Sequence, residues 1–183
     1  MRGFLIIGNL LFYVCYNMKK IFVFLLVFCA LTSCEEFKSW EDYNEEWIVA
    51  QQDKLGLDSD VDTFEIWPSG ILVEKYHTGY GAVPKPSVDP VTGVSSAIKV
   101  KYTGWLVDGT CFDYSEESAF YLSGVISGWQ EVLSKMPQGS HWKIYLPHDK
   151  AYGATGSTGA YGNFSVPPYS TLIFDIELID VKN

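Results

Sequence analysis

Arginine is almost absent from this chain of 183 residues, and cysteine and histidine are scarce. Arg2 is the single arginine, and 13 Lys+Arg face 22 Asp+Glu, which gives a net charge of −9. Binding to nucleic acid depends on cationic contacts with phosphate, which an acidic surface without arginine cannot supply. We therefore expect no nucleic-acid partner.

The usual motifs of metal and nucleophilic chemistry are also missing. His77, His141 and His148 lack ligand spacing, so we expect them at the surface and predict no metal and no cofactor. The sequence contains neither a G-x-S-x-G nucleophile elbow nor a G-x-x-x-x-G-K-[ST] phosphate loop. Because no histidine lies near Cys111 in sequence, we expect a half-buried structural thiol there rather than a nucleophile.

The first 33 residues contain no Asp or Glu and carry two apolar runs, 4–16 and 21–31, each shorter than the ~20 residues that span a bilayer. Lys19 and Lys20 before the second run are typical of a secretory signal peptide, for which Met18 is an alternative start. The run ends in Leu31-Thr32-Ser33-Cys34, which resembles the lipobox of bacterial lipoproteins. An ordinary signal peptide or anchor that happens to contain a cysteine is the alternative.

These features predict three segments: a signal peptide over 1–33, a lipidated acidic tether over 34–60, and a globular domain over 61–183. We expect the protein in the bacterial cell envelope, anchored to the outer membrane by lipid on Cys34. Cleavage and lipidation would leave Cys111 as the only free cysteine, so no internal disulfide is expected.

The tether carries apolar residues at near-helical spacing and a plausible helix stop at Gly56. Two interpretations stay open. The helix could bind a partner or dimerise, or its aromatic residues could dock on the domain. The residues concerned are Phe37, Trp40, Trp47 and Ile48.

Beyond residue 60 the pattern is that of β-strands around one helix. Residues 64–67 and 71–76 predict a hairpin, and apolar residues alternate with polar ones in three later stretches. In 127–137, Ser127 and Gln130 match a capping box, and four apolar residues share one helix face. The alternating apolar residues of the three strands are Ile98, Val100 and Tyr102, then Trp142, Ile144 and Leu146, then Leu172, Phe174, Ile176 and Leu178. The four apolar residues on the helix face are Trp129, Val132, Leu133 and Met136.

A helix of about two turns is unstable alone, so it must pack against the sheet. We predict an α+β fold, an antiparallel β half-barrel of five to six strands wrapped around this helix, with Trp129 as the floor of a cavity. A loop at 151–168, rich in glycine and aromatic residues, is long enough to be a functional element.

Six ordered motifs resemble the FKBP-type peptidyl-prolyl isomerases over about residues 64–183. They are 100–109 (VKYTGWLVDG), 112–113 (FD), 125–129 (VISGW), 151–153 (AYG), 166–168 (VPP) and 172–178 (LIFDIEL). The resemblance implies the same half-barrel fold and catalysis of X-Pro bond rotation without a covalent intermediate. It also implies proline-containing peptides or unfolded exported proteins as substrates, and macrolides of the rapamycin class as candidate ligands.

The resemblance further implies a site. Six residues would be catalytic: Tyr102, Phe112, Asp113, Trp129, Tyr152 and Phe174. Four would bind substrate: Val125, Ile126, Phe120 and Val166. The proline ring would lie on Trp129, the Ile126 amide and the Tyr152 hydroxyl would hold substrate carbonyls, and Asp113 would order neighbouring polar groups.

Some positions depart from the family pattern. Ser127 stands where members often carry Arg or Pro, Ser118 replaces the first aromatic of an F-x-F pair, and the loop at 156–167 is longer than in compact members. These differences bear on substrate preference and macrolide affinity. They leave one alternative function, a weakly active peptide-binding or chaperone module with the same pocket.

Overall fold

A computed structural model describes residues 38–55, 64–87, 95–158 and 165–183. The predicted signal peptide, Cys34, the helix stop at Gly56 and residues 159–164 of the long loop lie outside these ranges. Neither helix in the described part of the chain combines the length and hydrophobicity needed to cross a bilayer.

The described chain contains two helices and eight strands. In order, they are α1 (Trp40–Leu55), β1 (Phe64–Ile66), β2 (Leu72–His77), β3 (Ala97–Leu106), β4 (Cys111–Tyr121), α2 (Ser127–Leu133), β5 (His141–Leu146), β6 (Ser157–Thr158), β7 (Ser165–Val166) and β8 (Leu172–Lys182). Single 3₁₀ turns occur at Leu122–Gly124, His148–Lys150 and Gly153–Thr155.

Six strands form one antiparallel sheet in the order β1-β2-β5-β8-β3-β4, and β6 pairs with β7 separately. β8 lies inside the sheet, hydrogen-bonded to β3 on one side and to β5 on the other. Helix α2 packs on one face of this sheet. The predicted α+β half-barrel around one short helix is therefore confirmed, and it has six strands.

The core lies between the inner face of the sheet and α2. Every second residue of β3 is buried, as the alternation predicted, and Tyr102 points inward among them. The predicted helix face is buried too, because Trp129, Val132, Leu133 and Met136 all belong to this core. Burying each such side chain stabilises the fold by about 1.5–3 kcal/mol.

The predicted capping box is wrong. The N-cap position of α2 is Ile126, whose backbone is extended, so Ser127 already lies inside the helix. The Ser127 hydroxyl donates instead to the Lys150 carbonyl at 3.3 Å, and the Gln130 side chain donates to the Val125 carbonyl at 2.7 Å. These two bonds fasten the helix start to the segments on either side of it.

Gly128 lets α2 approach β5 closely. A Cβ atom at this position would lie 2.7 Å from Cδ2 of Leu146 and 2.9 Å from the carbonyl oxygen of Lys150. Such distances are too short for carbon atoms, so any larger residue would push the helix away from the sheet.

Helix α1 packs on the outer face of the sheet. Its N-terminus is capped by Ser39, whose hydroxyl oxygen accepts from the Asp42 amide at 3.1 Å. Ile48 is buried in a small cluster with Leu72 and Tyr145, and Trp47 packs against it. Of the two interpretations of this segment, docking on the domain is therefore the one that the packing supports.

The outer face also buries a carboxylate. Glu74 accepts hydrogen bonds from the hydroxyls of Tyr145 at 2.7 Å and Tyr76 at 3.0 Å. These bonds replace the water that the carboxylate loses on burial.

Two expectations about single residues need correction. Cys111 is exposed rather than half-buried, because it begins the edge strand β4 with its side chain on the solvent side. His141 and His148 are partly buried, and only His77 is exposed as expected. His141 Nε2 lies 2.6 Å from Asp175 Oδ1 of the neighbouring strand.

We expect Gly128→Ala to destabilise the domain by about 1–2 kcal/mol, because overpacking at Leu146 outweighs the gain in helix propensity. Gly124→Ala is the control, since a Cβ there meets nothing within 4 Å. Urea unfolding of both variants measures the difference, and equal midpoints would contradict the close approach of α2.

Candidate active site

A cavity of about 260 Å³ lies on the inner side of the half-barrel, between β3, β4, β8 and α2. Ligand pockets in proteins commonly measure about 300–1,000 Å³, so this one suits a single small ring with adjoining backbone. Its walls are mostly aromatic and aliphatic. The lining residues are Tyr102, Asp113, Phe120, Gly124, Val125, Ile126, Trp129, Tyr152 and Phe174.

The Trp129 indole forms the floor of the cavity. It meets three other rings edge to face, at centroid distances of 5.1 Å to Tyr102, 5.2 Å to Phe174 and 6.2 Å to Phe120. Edge-to-face pairs of this kind contribute about 0.5–1.5 kcal/mol each beyond their buried area. Four side chains from four elements are thus held in one fixed arrangement.

One polar pair lies at the rim. The Tyr102 hydroxyl donates to Asp113 Oδ2 at 2.8 Å, which joins neighbouring strands β3 and β4. Burial, together with this hydrogen bond, raises the pKa of Tyr102 well above its ordinary value. Tyr102 therefore stays neutral and keeps donating at any physiological pH.

Two further donors face the cavity. Burial, with a smaller contribution from the charge of Asp113, raises the pKa of Tyr152, so its hydroxyl keeps its proton. Within the described residues this hydroxyl has no hydrogen-bond partner. Ile126 reaches the wall because it is the N-cap of α2, where backbone amides lack partners within the helix.

Gly104 brings two rings together beside the cavity. A Cβ atom at Gly104 would lie 2.8 Å from Phe112 and 2.9 Å from Phe174. These two rings meet edge to face at 5.5 Å. The Phe112 ring therefore packs against Phe174, and Phe112 is not among the residues that line the cavity.

The structure brings together eight of the ten predicted site residues: Tyr102, Asp113, Phe120, Val125, Ile126, Trp129, Tyr152 and Phe174. It does not place Phe112 or Val166 at the wall. Val166 pairs with Ser157 in the small second sheet and is buried in the core. Sequence reasoning missed Gly124, whose contribution is backbone alone and leaves no side-chain pattern to find.

No group of three metal-ligating side chains occurs in the described ranges. The cavity instead offers an apolar floor, aromatic walls and a few hydrogen-bond donors. Such a site can take a planar or puckered ring out of water and hold the polar atoms on either side of it.

Comparisons with known proteins give the family. The family model described as FKBP-type peptidyl-prolyl cis-trans isomerase matches residues 92–179. The crystal structure of a peptidyl-prolyl cis-trans isomerase from Pseudomonas syringae pv. tomato strain DC3000 is 32% identical with a TM-score of 0.58, and the match covers 76% of this chain and 96% of that one. The chain belongs to the FKBP-type peptidyl-prolyl cis-trans isomerase family.

Curated members of this FKBP-type family are also similar. The FKBP-type 22 kDa peptidyl-prolyl cis-trans isomerase of Escherichia coli K12 is 40% identical over 117 residues, 62% of this chain and 50% of that protein. Outer membrane protein MIP of Legionella longbeachae is 41% identical over 121 residues, 64% of this chain and 46% of that protein. The chain thus spans about half the length of the curated relatives it matches.

Two buried tyrosines and one half-buried tyrosine should ionise at higher pH than free tyrosine. The folded-state pKa of Tyr102, Tyr145 and Tyr152 is raised, so their contribution to stability is complete below the unfolded value of about 10 and is lost as the pH rises above it. We expect these three to ionise only as the domain unfolds, in a titration that follows tyrosinate absorbance together with circular dichroism.

Tyr102→Phe should remove one late-ionising group and make stability less sensitive to pH above about 10. If the folded wild type shows an ionisation near pH 10 that is absent from the variant, that ionisation belongs to Tyr102, and the burial of Tyr102 is contradicted.

Proposed function

We propose that this protein is a peptidyl-prolyl cis-trans isomerase that acts on X-Pro bonds of exported proteins. The observation that carries the proposal is the indole floor of Trp129, enclosed by the rings of Tyr102, Phe120 and Phe174. Membership of the FKBP-type family supports it.

The barrier to X-Pro rotation is ~18–20 kcal/mol, because the twisted bond loses amide resonance. In the twisted state the nitrogen is pyramidal and the carbonyl is less dipolar than in the planar ground state. A dry aromatic cavity therefore costs the transition state less in lost hydration than it costs the planar bond. No nucleophile or metal takes part.

Each wall of the cavity has a role in this proposal. The proline ring lies on Trp129, with Val125 and Ile126 closing one side. The hydroxyl of Tyr152 and the amide of Ile126 donate to the carbonyls that flank the proline and hold the chain while the bond turns. Asp113, fixed by Tyr102, orients polar groups at the rim.

Phe112 and Val166 take supporting roles. Phe112 keeps Phe174 against the substrate ring, and Val166 fixes the start of the segment that leads into β8. Both act through neighbours, so we assign them to positioning rather than to contact with the substrate.

We also propose that Cys34 is lipidated and anchors the domain to the outer membrane. The lipobox-like sequence 31–34 supports this location, as does similarity to an outer membrane protein of Legionella longbeachae. Exported chains with X-Pro bonds would be the substrates available there.

The test of the isomerase is the exchange rate of a short Leu-Pro peptide, measured by NMR with the full chain in detergent. We expect acceleration that rapamycin-class macrolides suppress. Trp129→Leu should lower kcat/KM at least roughly tenfold, because the floor contributes about 1.5–3 kcal/mol of ring burial.

Trp142→Leu is the matched control, because Trp142 is an equally buried indole of the same core that does not line the cavity. Its activity should stay near wild type despite a similar loss of stability. Equal activity of the two variants would contradict the pocket assignment. Peptide binding without acceleration by the wild type would favour the chaperone-like alternative.

For the anchor, Cys34→Ser should abolish incorporation of labelled fatty acid and move the protein from the membrane to the soluble fraction. Cys111→Ser is the control and should change neither result, because that thiol lies in the folded domain. Unchanged labelling of Cys34→Ser would refute the lipoprotein assignment.

A further inference from the structure

The first half of α1 is bonded to the segment that links the long loop to β8, here called the 167–171 link. The Trp40 indole donates to the Ser170 hydroxyl at 2.9 Å. The Asn44 side-chain oxygen accepts from the Thr171 amide at 2.8 Å, and the Thr171 hydroxyl donates to the Asn44 carbonyl at 3.5 Å. Three hydrogen bonds thus join a helix that precedes the family match to a link inside it.

The 167–171 link is in turn bonded to the cavity wall. The Tyr169 amide donates to the Gly153 carbonyl at 2.9 Å, next to Tyr152. The Tyr169 ring meets the His148 ring edge to face at 5.3 Å, on the turn that precedes Tyr152. On its other side, the link runs directly into β8, where Phe174 lines the cavity.

The link has a backbone conformation that needs support. Tyr169 has φ of +59°, the only positive φ among the described non-glycine residues. Residues with side chains adopt this region reluctantly, and they keep it where the surroundings hold them there. The Ser170 hydroxyl, which accepts from Trp40, also donates to the Pro167 carbonyl at 2.7 Å and so closes the turn around Tyr169.

Asn44 places a buried amide side chain at the contact between α1 and the 167–171 link. Its side chain is 1% exposed, and its amide nitrogen donates to the Trp40 carbonyl at 2.8 Å, so both ends of the side chain are bonded. Docking of α1 alone would be served by apolar residues such as Ile48 on the outer face. A buried amide at this position instead specifies where the Thr171 amide must lie.

We propose that α1 is a positioning element of the active site, in which Trp40 and Asn44 hold the 167–171 link and thereby set Tyr152 and Phe174. Neither residue touches the substrate. The inference rests on the proposed isomerase activity for its kinetic consequence, whereas its structural consequence is independent of that activity.

The test compares Asn44→Leu and Trp40→Phe with the control Trp47→Phe, each in the full chain. Asn44→Leu introduces an apolar side chain of similar size that has no acceptor, and Trp40→Phe keeps an aromatic ring but removes the donor. Trp47→Phe alters the same helix at its contact with Tyr145, away from the link.

The structural readout is amide hydrogen exchange at Tyr169 and Thr171, with the amide NMR shifts of Tyr152 and Gly153. We expect about fivefold or faster exchange and shifted Tyr152 and Gly153 signals in both test variants, and wild-type values in the control. Wild-type exchange and shifts in both test variants would overturn the proposal, whether or not the protein is an isomerase.

The kinetic readout is the separate measurement of kcat and KM for the Leu-Pro peptide. We expect kcat/KM to fall about threefold to tenfold in the test variants, with most of the change in KM, and to stay within about twofold in the control. If wild type is active and all three variants have equal kcat/KM, α1 has no positioning role. If wild type itself is inactive, the proposed function fails, and the exchange data alone decide the contact between α1 and the cavity wall.

Discussion

The packing of the Trp129 indole against three rings is the contact on which both the core and the cavity depend. The underside of the ring belongs to the hydrophobic core, and its upper face is the cavity floor. Tyr102, Phe120 and Phe174 come from three different strands, so the indole fixes the spacing between those strands as well. The packing of the core and the shape of the cavity therefore depend on the same side chain, so a substitution of Trp129 changes both.

Two glycines make this arrangement sterically possible. Gly128 lets the helix that carries Trp129 sit against Leu146, and Gly104 lets Phe112 and Phe174 close over β3. Neither glycine needs an unusual φ, because the requirement is space rather than conformation. The positions of the aromatic walls therefore depend on the absence of a Cβ atom at these two glycines as well as on the rings.

The strands and α2 could be predicted because their burial follows a period. The alternation of apolar and polar residues predicts β3, β5 and β8. The apolar residues at helical spacing place Trp129 on the buried side of α2. The eight cavity residues could be predicted only from resemblance to a family. Several aromatic side chains that point inward are equally consistent with a binding site and with an ordinary hydrophobic core.

The errors have physical causes that no local pattern contains. The capping box failed because the extended backbone of Ile126 shifts the N-cap by one residue. Phe112 stays a predicted site residue by family resemblance, and sequence does not show that its ring packs edge to face on Phe174. The docking of α1 does not follow from its sequence, because periodicity gives the apolar side of a helix and not the surface that covers it.

The position of β8 has a consequence for how the molecule is assembled during synthesis. Among the described strands, β1, β2 and β5 form one part of the sheet and β3 and β4 form the other, and β8 pairs with both parts and joins them. β8 follows all of these strands in the chain, and it carries Phe174. Until β8 has been synthesised, the nascent chain has neither a continuous sheet nor a complete cavity. Any slow proline rotation before that point must therefore proceed without help from the same molecule's cavity.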